Sequence, residues 1–293
     1  MWLYDYDLAV AYRIYPGVSK IPPVFSQDKL KLSEFCLKSF KDSLGNLKVK
    51  MIVLLDNCPV EYNELFQKYF SEDDLELIEL KGIGNQATFD LQIMALLEQE
   101  YSNRVYFAED DYFYLPNQFK EMINFMDSYD DVDFVSAYDH LDYYNHPLHQ
   151  HKYETRSTAT RKWRTANSTC LTFLTTKKTL NDVQEVLKTY VNGNYDSSMW
   201  LALTKYQLNP VNMLKSTEMR KIVFRVWLDS TKQIINGKRF KLWTPLPSIA
   251  THMENNCIAP GIDWKNIMAE EALKIDSEWN ESDFRLIFKS HMI

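Results

Sequence analysis

Arg104-Val105-Tyr106-Phe107-Ala108-Glu109-Asp110-Asp111 is a short apolar run that ends in three adjacent carboxylates. It is too short for a helix and reads as a buried strand opening onto an acidic rim. Upstream, Asp7–Tyr12, Lys50–Leu55 and Leu75–Leu80 are further strand-like runs. Helical spacing of apolar residues separates them over Leu30–Leu44, Glu61–Phe70 and Gln86–Glu100. Four strands alternating with three helices predict an α/β fold, with a mostly parallel central sheet between two helical layers. Such sheets bind ligands at the carboxyl ends of their strands, where Asp56 and the acidic triplet stand.

Beyond the triplet, a helix is expected over Asn117–Tyr129 and a fifth strand over Asp133–Tyr138. A polar excursion follows over Asp139–Trp163, of a length that is often functional or mobile. Thr169–Thr175 is β-rich, and Leu180–Tyr190 and Ser197–Tyr206 have helical spacing. Pro245–His252 is extended, and Trp264–Leu273 and Glu281–Phe288 are expected to be short helices. No repeat or linker divides the chain, so 1–293 reads as a single domain.

The composition narrows the function classes. Against 33 Lys and Arg stand 40 Asp and Glu, a formal net charge of −7, which argues against a nucleic-acid partner. Only 7 glycines occur in 293 residues, so a glycine-rich phosphate loop has few candidates. No apolar run is long enough to span a bilayer, and no signal peptide is visible. A cytoplasmic protein is expected, with peripheral contact to a membrane left open. Cys36, Cys58, Cys170 and Cys257 form no CxxC pair and read as reduced, mostly buried thiols. Aromatic residues make up 14%, which suits either a large core or the stacking of sugars and bases.

Three crowded carboxylates repel one another unless a cation lies among them. A divalent Mg²⁺ or Mn²⁺ suits such oxygen ligands and can hold a diphosphate. The order strand–Asp56, Gly84-Asn85-helix, strand–Glu109-Asp110-Asp111, then a later acid before a helix, resembles the nucleotide-sugar glycosyltransferases of the GT-A fold, in particular the inverting family 2-like group. The resemblance covers roughly residues 7–252 and departs from the family at Asn57-Cys58-Pro59.

The resemblance implies a GT-A, Rossmann-like three-layer sandwich. Its donor-binding half would be 1–116, its acceptor-binding half 117–252 and its C-terminal helical extension 253–293. It implies Tyr12, Arg13, Tyr15, Asp56, Gly84 and Asn85 at the nucleotide, with Asp110 at the ribose or sharing the metal. Asp111 is the implied metal ligand, with Glu109 and a late His252 completing the site. Asp196 is the implied base that takes the proton of an acceptor hydroxyl. A glycan or other hydroxyl-bearing acceptor would meet Tyr138, Asp139, His140, Trp163 and Trp200.

Each residue also has an ordinary reading. Asp56 and Asp196 suit turn or helix capping, His252 and the two tryptophans suit a core, and Lys152, Arg156, Arg161, Lys162 and Arg164 suit a solvated face rather than a lid closing on a pyrophosphate. His149-Gln150-His151 is a weak zinc signal. A competing reading is a dinucleotide-dependent oxidoreductase, because Gly82-Ile83-Gly84-Asn85-Gln86-Ala87 matches G-x-G-x-x-A and Glu109 lies 22 residues beyond Ala87. A third is a non-catalytic carbohydrate-binding protein on a degenerate transferase fold.

Overall fold

Alternate residues of strand β1 (Leu8–Ile14) face opposite ways, and the fold follows from where they go. Leu8, Val10, Tyr12 and Ile14 enter one hydrophobic core, while Ala9 and Ala11 enter a second on the other face of the sheet. A strand buried on both faces needs helices on both, and that gives three layers. The computed structural model describes residues 4–18, 21–280 and Phe284. The helix expected over Glu281–Phe288 lies outside the described residues apart from Phe284.

In chain order, α1 (Lys29–Leu44), β2 (Val49–Asp56), α2 (Glu61–Tyr69), β3 (Leu75–Leu80), α3 (Gly84–Glu98) and β4 (Arg104–Glu109) build the first half as expected. β5 (Tyr112–Tyr114), α4 (Phe119–Asp127), β6 (Phe134–Val135), the single-turn α5 (Asp142–Asn145), β7 (Thr155–Ser157), β8 (Lys162–Ala166) and β9 (Phe173–Thr176) follow. Then come α6 (Lys177–Leu187), α7 (Asp196–Thr204), α8 (Thr217–Asn236), β10 (Leu242–Leu246), β11 (Ala250–His252) and α9 (Trp264–Ile275).

The nine-stranded sheet has the order β3-β2-β1-β4-β9-β6-β10-β8-β7. Its pairings leave β9 and β8 antiparallel to the rest, so the other seven strands run one way. β5 and β11 pair separately as a two-stranded antiparallel ribbon. The first core packs α1, α2, α4 and α9 on one face, and the second packs α3, α6, α7 and α8 on the other. Trp264, Met268 and Ala272 of α9 belong to the first core, so residues beyond 253 fold back onto the sheet layers. No described helix is long and apolar enough to cross a membrane.

One sequence expectation changes and one helix is added. The fifth strand shrinks to Phe134–Val135, and the excursion after it is ordered by α5 and the β7–β8 hairpin at the sheet edge. The twenty-residue α8, kinked at Ser230, is a helix that the sequence reading did not anticipate. It buries Met219, Ile222, Val223 and Val226 but also exposes Phe224 and Leu228, which hides it from a search for one apolar stripe.

Candidate functional site

The ends of β1, β2 and β4 open into a cleft of about 550 Å³. Arg13, Tyr15, Asp56, Gly84, Asn85, Glu109, Asp110, Asp111, Asp196 and His252 all line it, joined by Ile14, Thr88, Cys170, Leu171 and Tyr190. Ten residues singled out from the sequence therefore meet at one place.

The acidic triplet is held differently from the expectation. Each carboxylate already has a partner from this chain: an arginine, a lysine or a histidine. The Arg13 guanidinium donates to Glu109 at 2.5 Å, and Thr172 donates to the other Glu109 oxygen at 2.8 Å. Lys29, the first residue of α1, lies 2.5 Å from Asp110. His252 Nε2 lies 3.3 Å from Asp111. Mutual repulsion thus does not by itself demand a divalent ion at this rim.

The atoms left over decide which of these residues could ligate a metal. Both Glu109 oxygens are taken, so Glu109 does not fit the ligand role expected for it. Among the described residues, no group of three or more His, Cys, Asp or Glu side chains is arranged to hold a metal ion. Asp111 and His252 do fit as a pair, because Asp111 Oδ1 and His252 Nδ1 are buried without a hydrogen-bond partner. The two side chains meet through their other atoms, His252 Nε2 and Asp111 Oδ2, 3.3 Å apart.

The pair is assembled by the β5–β11 ribbon, which sets His252 opposite Tyr112, and by Met253 N–H donating to Asp111 O at 2.7 Å. Tyr112 packs edge-on against the imidazole at 5.0 Å. Burial alone would raise the Asp111 carboxyl, but the His252 charge and hydrogen bond outweigh it and hold it low. The same partnership raises His252 against its own burial. Asp110 goes the other way: burial pushes it up to about 6, although Lys29 opposes the shift.

Asp56 acts on the backbone. Its two oxygens accept from Ile83 N–H and Gly84 N–H, both at 2.8 Å. Gly82 (φ +72°) and Gly84 (φ +85°) give the turn a left-handed backbone that favours glycine. A carboxylate therefore occupies the N–H groups that a pyrophosphate would need in the dinucleotide reading. The proposed ribose acid, Glu109, is likewise committed to Arg13 and Thr172. Both observations oppose the oxidoreductase alternative.

Asp196 is the first residue of α7 rather than its cap; Tyr195 holds the cap position. Its Oδ1 accepts from Ser197 N–H at 2.6 Å. Burial raises its carboxyl, the Ser197 bond opposes this, and the Glu109 charge adds to the rise.

No protein-family model and no curated protein matches the chain. Its path is similar to that of solved structures at low identity. The galactosyltransferase LgtC, in complex with donor and acceptor sugar analogues, gives a TM-score of 0.47 at 10% identity, covering 93% of this chain and 98% of that one. The apo glycosyltransferase GlyE of Streptococcus pneumoniae TIGR4 gives 0.42 at 12%, covering 94% of this chain and 61% of that one. The 4-diphosphocytidyl-2C-methyl-D-erythritol synthase of Anaerococcus prevotii DSM 20548 gives 0.41 at 10%, covering 68% and 83%.

Several expected site residues lie elsewhere. Tyr12 has the opposite strand parity from Arg13 and packs on Phe40 and Phe66. Trp163 is fully buried and stacked on Phe125 at 4.2 Å, and Trp200 is fully buried edge-on against Phe134 and Phe173. Neither tryptophan offers a platform to a sugar. Asp139 is buried, accepting from Arg164 and Tyr144 at 2.6 Å each, and has no free face for an acceptor. Tyr138 is buried, its hydroxyl donating to Cys257 O, and His140 packs beside its ring at 5.0 Å.

The arginines read as a solvated face, with a lid as the alternative, are tied down. Arg156 forks onto Asp131, Arg161 bonds Glu121 and Gln118, and Arg164 pairs with Asp139. His149 is committed to Asn167 at 2.6 Å, and His151 packs on Tyr206. Of the four free thiols only Cys36 is fully buried, fewer than expected.

Sequence reasoning missed Lys29 and Tyr190, which lie far from the motifs. Asn85 Nδ2 donates to the Tyr190 hydroxyl at 2.9 Å and so bridges two walls of the cleft. A lysine opening a helix gives no local signal of an ion pair with a strand end 81 positions away.

Proposed function

We propose that the chain is a glycosyltransferase that moves a sugar from a nucleoside-diphosphate donor to the hydroxyl of a glycan or other acceptor, with inversion. The observation that carries this reading is the convergence of the Asp111–His252 pair and Asp196 on one cleft at the carboxyl edge of the sheet. Residues 1–116 form the donor half in this reading and 117–252 the acceptor half.

Tyr15, half exposed beside Ile14, offers a ring to the nucleobase. Asp110, partnered by Lys29, faces the ribose. Asp111 and His252 would hold Mn²⁺ or Mg²⁺, which would supply positive charge to the donor diphosphate as it leaves. Asp196 accepts the proton of the acceptor hydroxyl; its raised carboxyl brings the base closer to neutral pH than an ordinary aspartate. Arg13 braces the cleft wall by donating to the Asn85 carbonyl and Oδ1 at 2.8 and 2.5 Å.

The test separates binding from transfer. UDP, GDP or TDP with Mn²⁺ should raise the melting temperature of the wild type, and Asp111→Ala should abolish that rise. Asp196→Asn should keep it while donor turnover falls by about 10²- to 10⁴-fold. Full turnover by Asp196→Asn rules out the base assignment, and a metal-independent response to NAD in place of any nucleoside diphosphate rules out the reading as a whole.

A further inference from the structure

On the outer side of α8, Arg220, Phe224 and Leu228 follow one another at intervals of four and share one helical face, ahead of a kink at Ser230. Phe224 is 55% exposed and Leu228 60%. The preceding 3₁₀ turn, Pro210–Leu214, packs along α8 and adds Val211 at 62% and Leu214 at 80% exposure. Ile235, beyond the kink at Ser230, is also 65% exposed. Single exposed apolar residues are ordinary, but a row of them along one element is not.

The surrounding charge says what kind of surface would cover it. Residues 205–239 hold eight Lys and Arg against two acids, in a chain whose formal net charge is −7. The acids are spoken for: Glu218 meets His146 and Asp229 meets Arg225. Lys215, Arg220, Lys221 and Lys232 are exposed and have no ion pair among the described residues. Large apolar side chains flanked by unpaired cations match the acyl boundary and phosphate layer of a lipid surface, with Lys and Arg stems lying along the apolar side chains. A protein partner would need matching acids as well as an apolar face, whereas an anionic bilayer presents both features continuously.

We propose that this face of α8 and the adjoining 3₁₀ turn docks the protein on an anionic phospholipid bilayer. The surface lies on the helix that packs behind α7, and the proposal does not depend on the activity assigned to the cleft.

The experiment is flotation of the full-length protein with vesicles of phosphatidylcholine alone or mixed with phosphatidylglycerol. Wild type should float with the mixed vesicles, much less with phosphatidylcholine, and less as salt rises. Arg220→Gln and Lys221→Gln should each weaken binding about fivefold. Phe224→Asp with Leu228→Asp should weaken it by roughly tenfold or more. Leu214→Asp gives a second apolar test at a side chain that packs on little, and unchanged melting curves confirm that each variant is folded. Three results would overturn the proposal: no flotation of folded wild type with anionic vesicles, equal flotation whichever lipid is used, or a dimer that the Asp variants dissociate without any vesicle binding.

Discussion

Two stretches of this chain are rich in charge, and they end in opposite states. In the β7–β8 region, Arg156, Arg161 and Arg164 are each matched by acids and neighbouring polar groups. At the end of β4, Glu109, Asp110 and Asp111 are also matched, but Asp111 and His252 keep buried polar atoms with nothing attached. The difference is one of remaining valence. A saturated network stabilises the native arrangement and offers a ligand nothing, whereas unfilled atoms beside a cleft are a cost that binding can offset.

Variants in the saturated region should lose stability and keep donor binding, the reverse of Asp111→Ala. The largest loss is expected for Arg164→Met, which leaves Asp139 buried without its cation. Denaturant unfolding should show a loss of about 3–5 kcal/mol, and the folded fraction should still respond to a nucleoside diphosphate. An unchanged unfolding midpoint would mean that the pair adds nothing to the native state.

Asp56→Ala sits on the boundary between the two kinds of region. It removes both acceptors from the turn before α3 and should cost about 2 kcal/mol, read from the same unfolding curves. Because the turn also walls the cleft, nucleoside-diphosphate affinity should weaken as well. A loss of affinity with no loss of stability would move Asp56 from support to direct contact.

The smallest effect concerns pH. Burial pushes the His149 imidazole down to about 4, with the Asn167 hydrogen bond opposing. The folded state therefore binds this proton less readily than the unfolded chain, whose histidines titrate near pH 6.5. His149 supports the fold fully at neutral pH, and that support fades as pH falls from about 6.5 towards 4, by on the order of 3 kcal/mol. Melting curves of His149→Gln across this range should be flatter than those of the wild type. Equal slopes would place the acid sensitivity elsewhere.

The first half of the fold was legible because each strand and helix there carries its own pattern. KMIVLL at Lys50–Leu55 and the apolar spacing of Leu32, Phe35, Cys36 and Phe40 require no distant partner to be recognised. The second half was less so. β6 is two residues long, and α8 is apolar on both sides, so neither offers a clean period. Trp163 and Trp200 were ambiguous for a related reason: an aromatic ring suits a sugar platform and a core equally well until its neighbours are known.

What the sequence determined alone was the alternation of strands and helices, the placing of Asp56 and the acidic triplet at strand ends, and the acid that opens α7. These depend on local spacing and on the geometry of parallel sheets. Tertiary structure decided which charges were already satisfied. Arg13 meets Glu109 across the β1–β4 pairing, Lys29 reaches Asp110 from α1, and His252 arrives beside Asp111 on the β5–β11 ribbon. Electrostatic partnership depends on distance in space, and separations of 81 to 141 residues along the chain leave no trace of it in local pattern.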